Sequence, residues 1–138
     1  MNVENAVMPR QDQLAGLLGL GGDQPIQMLN LLKFHEVAQY DDPSEPKISG
    51  REAYMRYGAP MSALVAAKGG RIIFSAVIDH LVIGEVGELW DVAAIMEYPS
   101  RAVFVAIATS PEVAAIGHHR KAGLKGQLLI QCSPAGGL

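Results

Sequence analysis

The apolar positions of the chain fall into two rhythms, one of period two and one of three to four residues, and they change over at turn-forming residues. Residues 1–7 show neither rhythm and are expected to fray. Pro9 then stands where a first helical turn accepts it, and Leu14, Leu17 and Leu18 follow at helical spacing until Gly19, Gly21 and Gly22 end a short helix over 9–20. Residues 26–34 read as a strand with apolar residues on both sides, Met28, Asn30 and Leu32 alternating with Leu29 and Leu31. Asp41, Asp42, Pro43, Ser44 and Pro46 mark 38–48 as a loop. Ser49 and Glu52 form a capping box for a helix whose inner stripe is Tyr54, Tyr57, Met61, Leu64 and Val65; Pro60 should kink it, and Gly69 and Gly70 stop it.

The second half repeats the logic. Residues 71–82 and 89–98 alternate as strands around a glycine-bearing turn at 84–88, which predicts a hairpin. Ser100 opens a helix with Val103, Phe104 and Ile107 inward, and Ser110-Pro111-Glu112 restarts it toward Gly123. Residues 127–132 form the last strand. The expected layout is an N-terminal extension with a short helix at 1–25, one domain at 26–133 and a tail at 134–138. The domain reads β-α-β-β-α-β, the ferredoxin-like α+β pattern of an antiparallel sheet with helices on one face.

One layer of helices leaves the other sheet face open. If strands two to four are phased alike, Ile73, Val77, Ala93, Ile95 and Leu129 lie on that face. An apolar sheet face needs a cover, and the simplest closed cover is a second copy, so a homodimer through the sheets is expected. Composition agrees. Hydrophobic residues make up 49% and charged residues only 18%, against ~25% in ordinary soluble domains.

The balance of 11 basic and 14 acidic residues, with no basic stripe, argues against nucleic acid. No apolar run approaches the ~20 residues that span a bilayer, and no export signal is legible, so no membrane partner is expected. The single cysteine, Cys132, rules out an internal disulfide and suits a cytoplasmic setting. The glycines at 19–22 miss the dinucleotide-binding spacing and precede the first strand, so no cofactor is expected.

Several residues invite chemistry. Asn30 is an amide among leucines, able to hold a substrate carbonyl or simply to bond a neighbour or a water. With the same phasing, Arg71, Ser75, Glu97 and Gln131 share the open face, which then describes a ligand cavity or a wet interface with an Arg71–Glu97 link. Asp91 is expected at the rim. His118, His119 and Arg120 sit together on the last helix. Adjacent helical side chains diverge by ~100°, so the histidines make a poor metal pair, and no metal site is expected. One histidine as a proton carrier competes with a plain cationic cluster at a helix C-terminus. Trp90, Tyr54 and Tyr57 read as core, the tyrosine hydroxyls within reach of a cavity mouth. Cys132 reads as a packed thiol.

Asn30-Leu31-Leu32-Lys33-Phe34, Tyr54, Tyr57-Gly58, Gly69-Gly70-Arg71, Glu97-Tyr98-Pro99-Ser100 and Arg120, in this order and spacing, resemble the family called domain of unknown function 1330, over about 26–132. The segment before residue 26 resembles a longer subgroup with an added helix. The resemblance implies a dimeric α/β barrel, two ferredoxin-like sheets facing each other around a cavity, in a superfamily that includes cofactor-free oxygenases, isomerases, haem enzymes and proteins without known activity. Two functions follow. One is cofactor-independent oxygenation or isomerisation of a small molecule in the barrel cavity: Arg71 holds an anionic or enolate oxygen, Asn30 orients it, and Glu97 or a histidine moves a proton. The other is non-catalytic binding of a small anionic or carbonyl-bearing ligand, or a purely structural dimer. Glu97 separates them, since a catalytic carboxyl is desolvated with a raised pKa and a structural one is paired and ionised.

Overall fold

The structure, a computed structural model, describes residues 1–137; Leu138, the end of the expected tail, lies outside the described residues. The elements are α1 (Gln11–Gly19), β1 (Ile26–Phe34), α2 (Gly50–Ala67), β2 (Arg71–Val77), β3 (Val92–Tyr98), α3 (Arg101–Ala108), α4 (Pro111–Gly123) and β4 (Leu124–Cys132). Leaving α1 aside and counting α3 and α4 as one interrupted helix, the order is β-α-β-β-α-β in one antiparallel sheet, β2-β3-β1-β4. Serine caps start three of the helices. Ser49, Ser100 and Ser110 accept from the backbone N–H of Glu52, Val103 and Val113, each satisfying a donor the first turn leaves free. The α2 helix continues through Pro60.

Residues directly opposite across a sheet share a face. Ile26, Met28, Leu32 and Phe34 are buried under the helices, with Tyr98. Met61 and Val65 of α2 and Ile107 of α3 close the main core over Ile26, Met28 and Tyr98. A second core joins Leu32, Phe34 and Leu124, with Val7, Tyr54 and Val92 against it. Where α2 begins and α4 ends, their backbones touch. A Cβ on Gly123 would strike the Gly50 carbonyl and lie 2.7 Å from the Tyr54 nitrogen, so only glycine fits.

Four expectations need correction. First, β2 ends at Val77 and β3 begins at Val92, so the hairpin carries the long connection 78–91, closed at its base by Ile78 N–H to Asp91 C=O at 2.9 Å. Leu81, Val82 and Ile83, taken as strand, are exposed in it. Second, β4 starts at Leu124, directly after the α4 glycine. Third, the N-terminus is tied down. Ala6 exchanges backbone hydrogen bonds with Gln127 at the β4 edge, and Asn5 accepts from the Trp90 indole at 2.7 Å. In α1 only Leu17 reaches the core of its own protomer, while Leu14 and Leu18 are exposed.

The fourth correction concerns phase. The β2–β3 register slips between Ile72 and Phe74, leaving Ile73 as the extra residue of a bulge. Ser75 and Val77 therefore lie opposite Ala94 and Val92, on the helix side. In β4, Leu129 stands opposite Asn30 and Gln131 opposite Met28, so these also belong to the helix side. The open face instead carries Leu29, Leu31, Phe74, Ala93, Ile95, Leu128 and Ile130, with Arg71, Glu97 and Gln27 at one end. No helix is long and apolar enough to cross a membrane among the described residues.

Candidate functional site

The even-numbered positions of β1 point under the helices, and Asn30 is the polar exception among them. Its Oδ1 accepts from Gln127 Nε2 at 2.9 Å, and its Nδ2 donates to the Met28 carbonyl at 3.1 Å. Gln127, buried on β4, accepts in turn from Arg120 Nη2 through its Oε1. A chain of three side chains thus runs from the middle of the sheet to the last turn of α4. Each buried amide atom in it has a partner, as burial demands.

Arg120 is the unusual member. It is half-buried and makes no ion pair among the described residues. Its other terminal nitrogen faces only the Met8 sulfur, at 3.8 Å, and a thioether is a weak acceptor. Tyr54 and Tyr57 flank it from α2, with ring centroids 5.6 Å apart. Burial pushes the Tyr54 phenol up to about 12 and raises Tyr57 too, with the nearby Arg120 charge pulling both the other way. Both hydroxyls are therefore protonated near neutrality and act as hydrogen-bond donors rather than bases. Asn30, Tyr54, Tyr57 and Arg120, picked out separately in the sequence, come together here, on the helix side of the sheet.

Arg71 and Glu97 lie on the opposite side. Arg71 Nε is 3.2 Å from Glu97 Oε1, and Gln27 Nε2 donates to the other Glu97 oxygen at 3.3 Å. The Gln27 hydrogen bond first, then Arg71, holds the Glu97 carboxyl below the usual glutamate range. This is an ionised, paired carboxylate, the opposite of a desolvated proton carrier. Ser75, turned to the helix side by the bulge, does not join it.

His118 and His119 serve a third place. Their rings stack at 3.9 Å and face the loop at 36–48, not the sheet. His119 Nδ1 is 2.6 Å from the Tyr40 hydroxyl, and His118 Nε2 is 4.0 Å from Glu45. Gln39 N–H to Ala122 C=O and Lys121 to Asp41 complete the clamp. Burial, then the neighbouring His118, lowers the His119 pKa. A shallow cleft of ≈ 260 Å³ lies between this loop and α4. A wider one of ≈ 690 Å³ opens at the C-terminal end of β1, where Asp91 takes the Phe34 N–H and pairs with Lys33 at 3.2 Å. Trp90 sits at the edge held by Asn5, and Cys132 is a partly exposed thiol on the open face. No group of three metal-ligating side chains forms among the described residues.

Two members of the Arg120 chain escape a reading of sequence alone. Gln127 looks like an ordinary strand-start polar residue, and its burial depends on the β4 phase. Met8 precedes the first helix with no periodic signal.

The sheet order, the antiparallel register and the single helix layer define a ferredoxin-like α+β protein. The chain belongs to the family described as "Domain of unknown function (DUF1330)", whose model matches residues 44–131. It is similar over 95% of its length, at 30% identity and a TM-score of 0.86, to 98% of a protein of unknown function, RPA0582, from Rhodopseudomonas palustris. More distant likenesses include a dimeric protein of unknown function with a ferredoxin-like fold from Bacteroides fragilis (18% identity, TM-score 0.51, 80% of this chain and 96% of that one). Another is a putative antibiotic biosynthesis monooxygenase from Bacteroides thetaiotaomicron (12% identity, TM-score 0.51, 83% and 93%). At these identities the last two speak for the fold alone. No curated protein matches the chain.

Proposed function

We propose that the chain is a homodimeric small-molecule-binding protein, and that each protomer takes a small anionic, carbonyl-bearing ligand at Arg120, between α2, α4 and the sheet. The observation that carries this reading is a half-buried guanidinium without a carboxylate partner. A charge taken out of water without its counter-charge is costly. A bound carboxylate or enolate oxygen would supply that counter-charge and accept two charge-assisted hydrogen bonds. The Tyr54 and Tyr57 hydroxyls, held protonated, would donate to a neighbouring carbonyl.

Binding is favoured over oxygenation or isomerisation because the groups fit to take a proton stand elsewhere. Glu97 is paired on the other face, and His119 is bonded to Tyr40. The dimer forms through the open face, whose apolar residues need a cover; the dimeric neighbour of the same fold supports this arrangement. In it, Arg71 and Glu97 are interface salt links. Titration with pyruvate and with benzoate, followed by calorimetry, tests the site. Saturable binding abolished by Arg120→Gln and kept by Arg71→Gln is the expected result. Binding lost with Arg71→Gln and kept with Arg120→Gln would move the site into the barrel.

A further inference from the structure

The N-terminal segment lies across the same guanidinium. Asn5 and Ala6 sit on the edge of β4, with Ala6 directly opposite Gln127. Gly126 has no side chain there, and a Cβ would meet Asn5 Cβ at 2.7 Å. The seat is therefore shaped for this segment. Val7 drops into the second core beside Leu32, Phe34 and Leu124. Met8 follows with its sulfur on Arg120 Nη1 and most of its side chain in solvent.

The ties are few and separable. They are two backbone bonds at Ala6, at 3.2 and 2.8 Å, one indole-to-amide bond from Trp90 to Asn5, and one small apolar anchor. On the far side come Pro9 and α1, which contributes only Leu17 to the core. A segment with so few buried contacts opens well before the domain unfolds.

We propose that residues 5–8 form a strap that closes the Arg120 site, with Met8 standing where the ligand's anionic group binds once the strap lifts. The inference rests on the reading of Arg120 as the ligand site. A thioether is a weak acceptor for a guanidinium, so a carboxylate displaces it readily. Val7 and the Ala6 bridge return the strap to its seat when the site is empty. The strap also limits ligand size, because it covers the site from the β4 edge.

Phenylglyoxal, which modifies accessible guanidinium groups, tests this on the full chain without any ligand. Labelling is located by peptide mapping in the unaltered protein and in Asn5→Ala and Val7→Ala. Loss of one tie should speed Arg120 labelling roughly fivefold, the population change that one hydrogen bond's net worth permits. Arg56, exposed on α2, and Arg101, whose Nε is buried, should label at unchanged rates. The fluorescence of Trp90, the only tryptophan, should shift in Asn5→Ala as its indole N–H turns to water. Equal Arg120 labelling in all three proteins overturns the strap. Faster labelling of Arg101 together with Arg120 means general unfolding and overturns it as well. Benzoate separates the two readings. If the variants expose Arg120 but benzoate fails to protect it, the ligand site is wrong and the strap stands. If benzoate protects Arg120 equally well with and without the ties, the ligand site stands and the strap is wrong.

Discussion

Asn30 and Gln127, 97 residues apart in sequence, bond side chain to side chain at 2.9 Å across β1 and β4, under the helices. Gln127 is buried and Asn30 half-buried, so each leans on the other for its hydrogen bond. Replacing one by leucine orphans its partner at a cost of about 1–3 kcal/mol. Asn30→Leu and Gln127→Leu should each destabilise by that amount in urea unfolding. The double change should cost less than the sum, because it removes both halves of one bond. Strict additivity would show that the two amides act independently.

Two glycines on α4 should respond to alanine with opposite signs. Nothing lies within 4 Å of a Cβ built on Gly117, so Gly117→Ala should stabilise by about 0.5–1 kcal/mol through the chain entropy it removes. Gly123 packs its backbone against Gly50 and Tyr54, so Gly123→Ala should destabilise by about 1–3 kcal/mol or more. Thermal melts of the two variants side by side read the difference. Because Gly123 also sets how α4 approaches α2, its alanine variant should weaken ligand binding at Arg120 as well. Equal effects at the two positions would mean that the helices do not meet at Gly123.

The open sheet face should hold two protomers together. Leu29 lies at its centre, opposite Ile95 and Ile130. Leu29→Arg places a charge in the middle of an apolar contact, and two-fold symmetry brings it in twice. Sedimentation should find the unaltered chain as a dimer and Leu29→Arg as a monomer or a mixture. Val82→Ser, out in the connection between β2 and β3, removes apolar surface without touching the sheet and should leave the dimer intact. A monomer from the unaltered chain at micromolar concentration would refute the interface.

Much of the fold is legible in the sequence because it is written in local terms. Serine caps mark α2, α3 and α4, and the limits of β1 follow from its continuous apolar run. The faces of β2 and β4 are not local properties. A single extra residue at Ile73 turns Ser75 to the helix side of the sheet, where it stays exposed, and no feature of Arg71-Ile72-Ile73-Phe74 announces it. The 78–91 connection misleads in another way, since Leu81, Val82 and Ile83 have strand composition without a strand's partner. Of the proposed Arg120 site, the sequence shows the residue types but not their meeting. Asn30, Tyr54, Tyr57 and Arg120 stand out by residue type, but which of them meet depends on β4 phase and on a strap whose residues carry no pattern. Arg71 and Glu97 were the reverse, a pair correctly joined by register whose lowered carboxyl pKa speaks for a link and not for catalysis.

The clamp of the 36–48 loop on α4 should make stability depend on pH through His119. Burial is the main cause of its lowered pKa, and the neighbouring His118 and Arg56 add to it, against an opposing pull from Glu45. In the unfolded chain the ring titrates at ~6.5. A lowered folded pKa means that the unfolded state binds the proton first. The stability His119 contributes is therefore complete above about 6.5 and is lost as pH falls through the folded value. Unfolding free energies measured by urea between pH 7.5 and 5 should decline over this window. That range stays above the carboxylates whose pKa values are also lowered, Asp12, Asp42, Glu88 and Glu97, so they do not contaminate the slope. His119→Asn should flatten the decline. Tyr40→Phe should keep the sign of the slope, since burial and His118 remain, while lowering stability at pH 7.5 by the lost hydrogen bond. Protection of the Gln39 amide, bonded to Ala122 across the clamp at 2.9 Å, should fall at the acid end once its exchange rate is divided by the intrinsic rate at each pH. A slope of unchanged size in His119→Asn would assign the effect to another histidine and dissociate the clamp from pH.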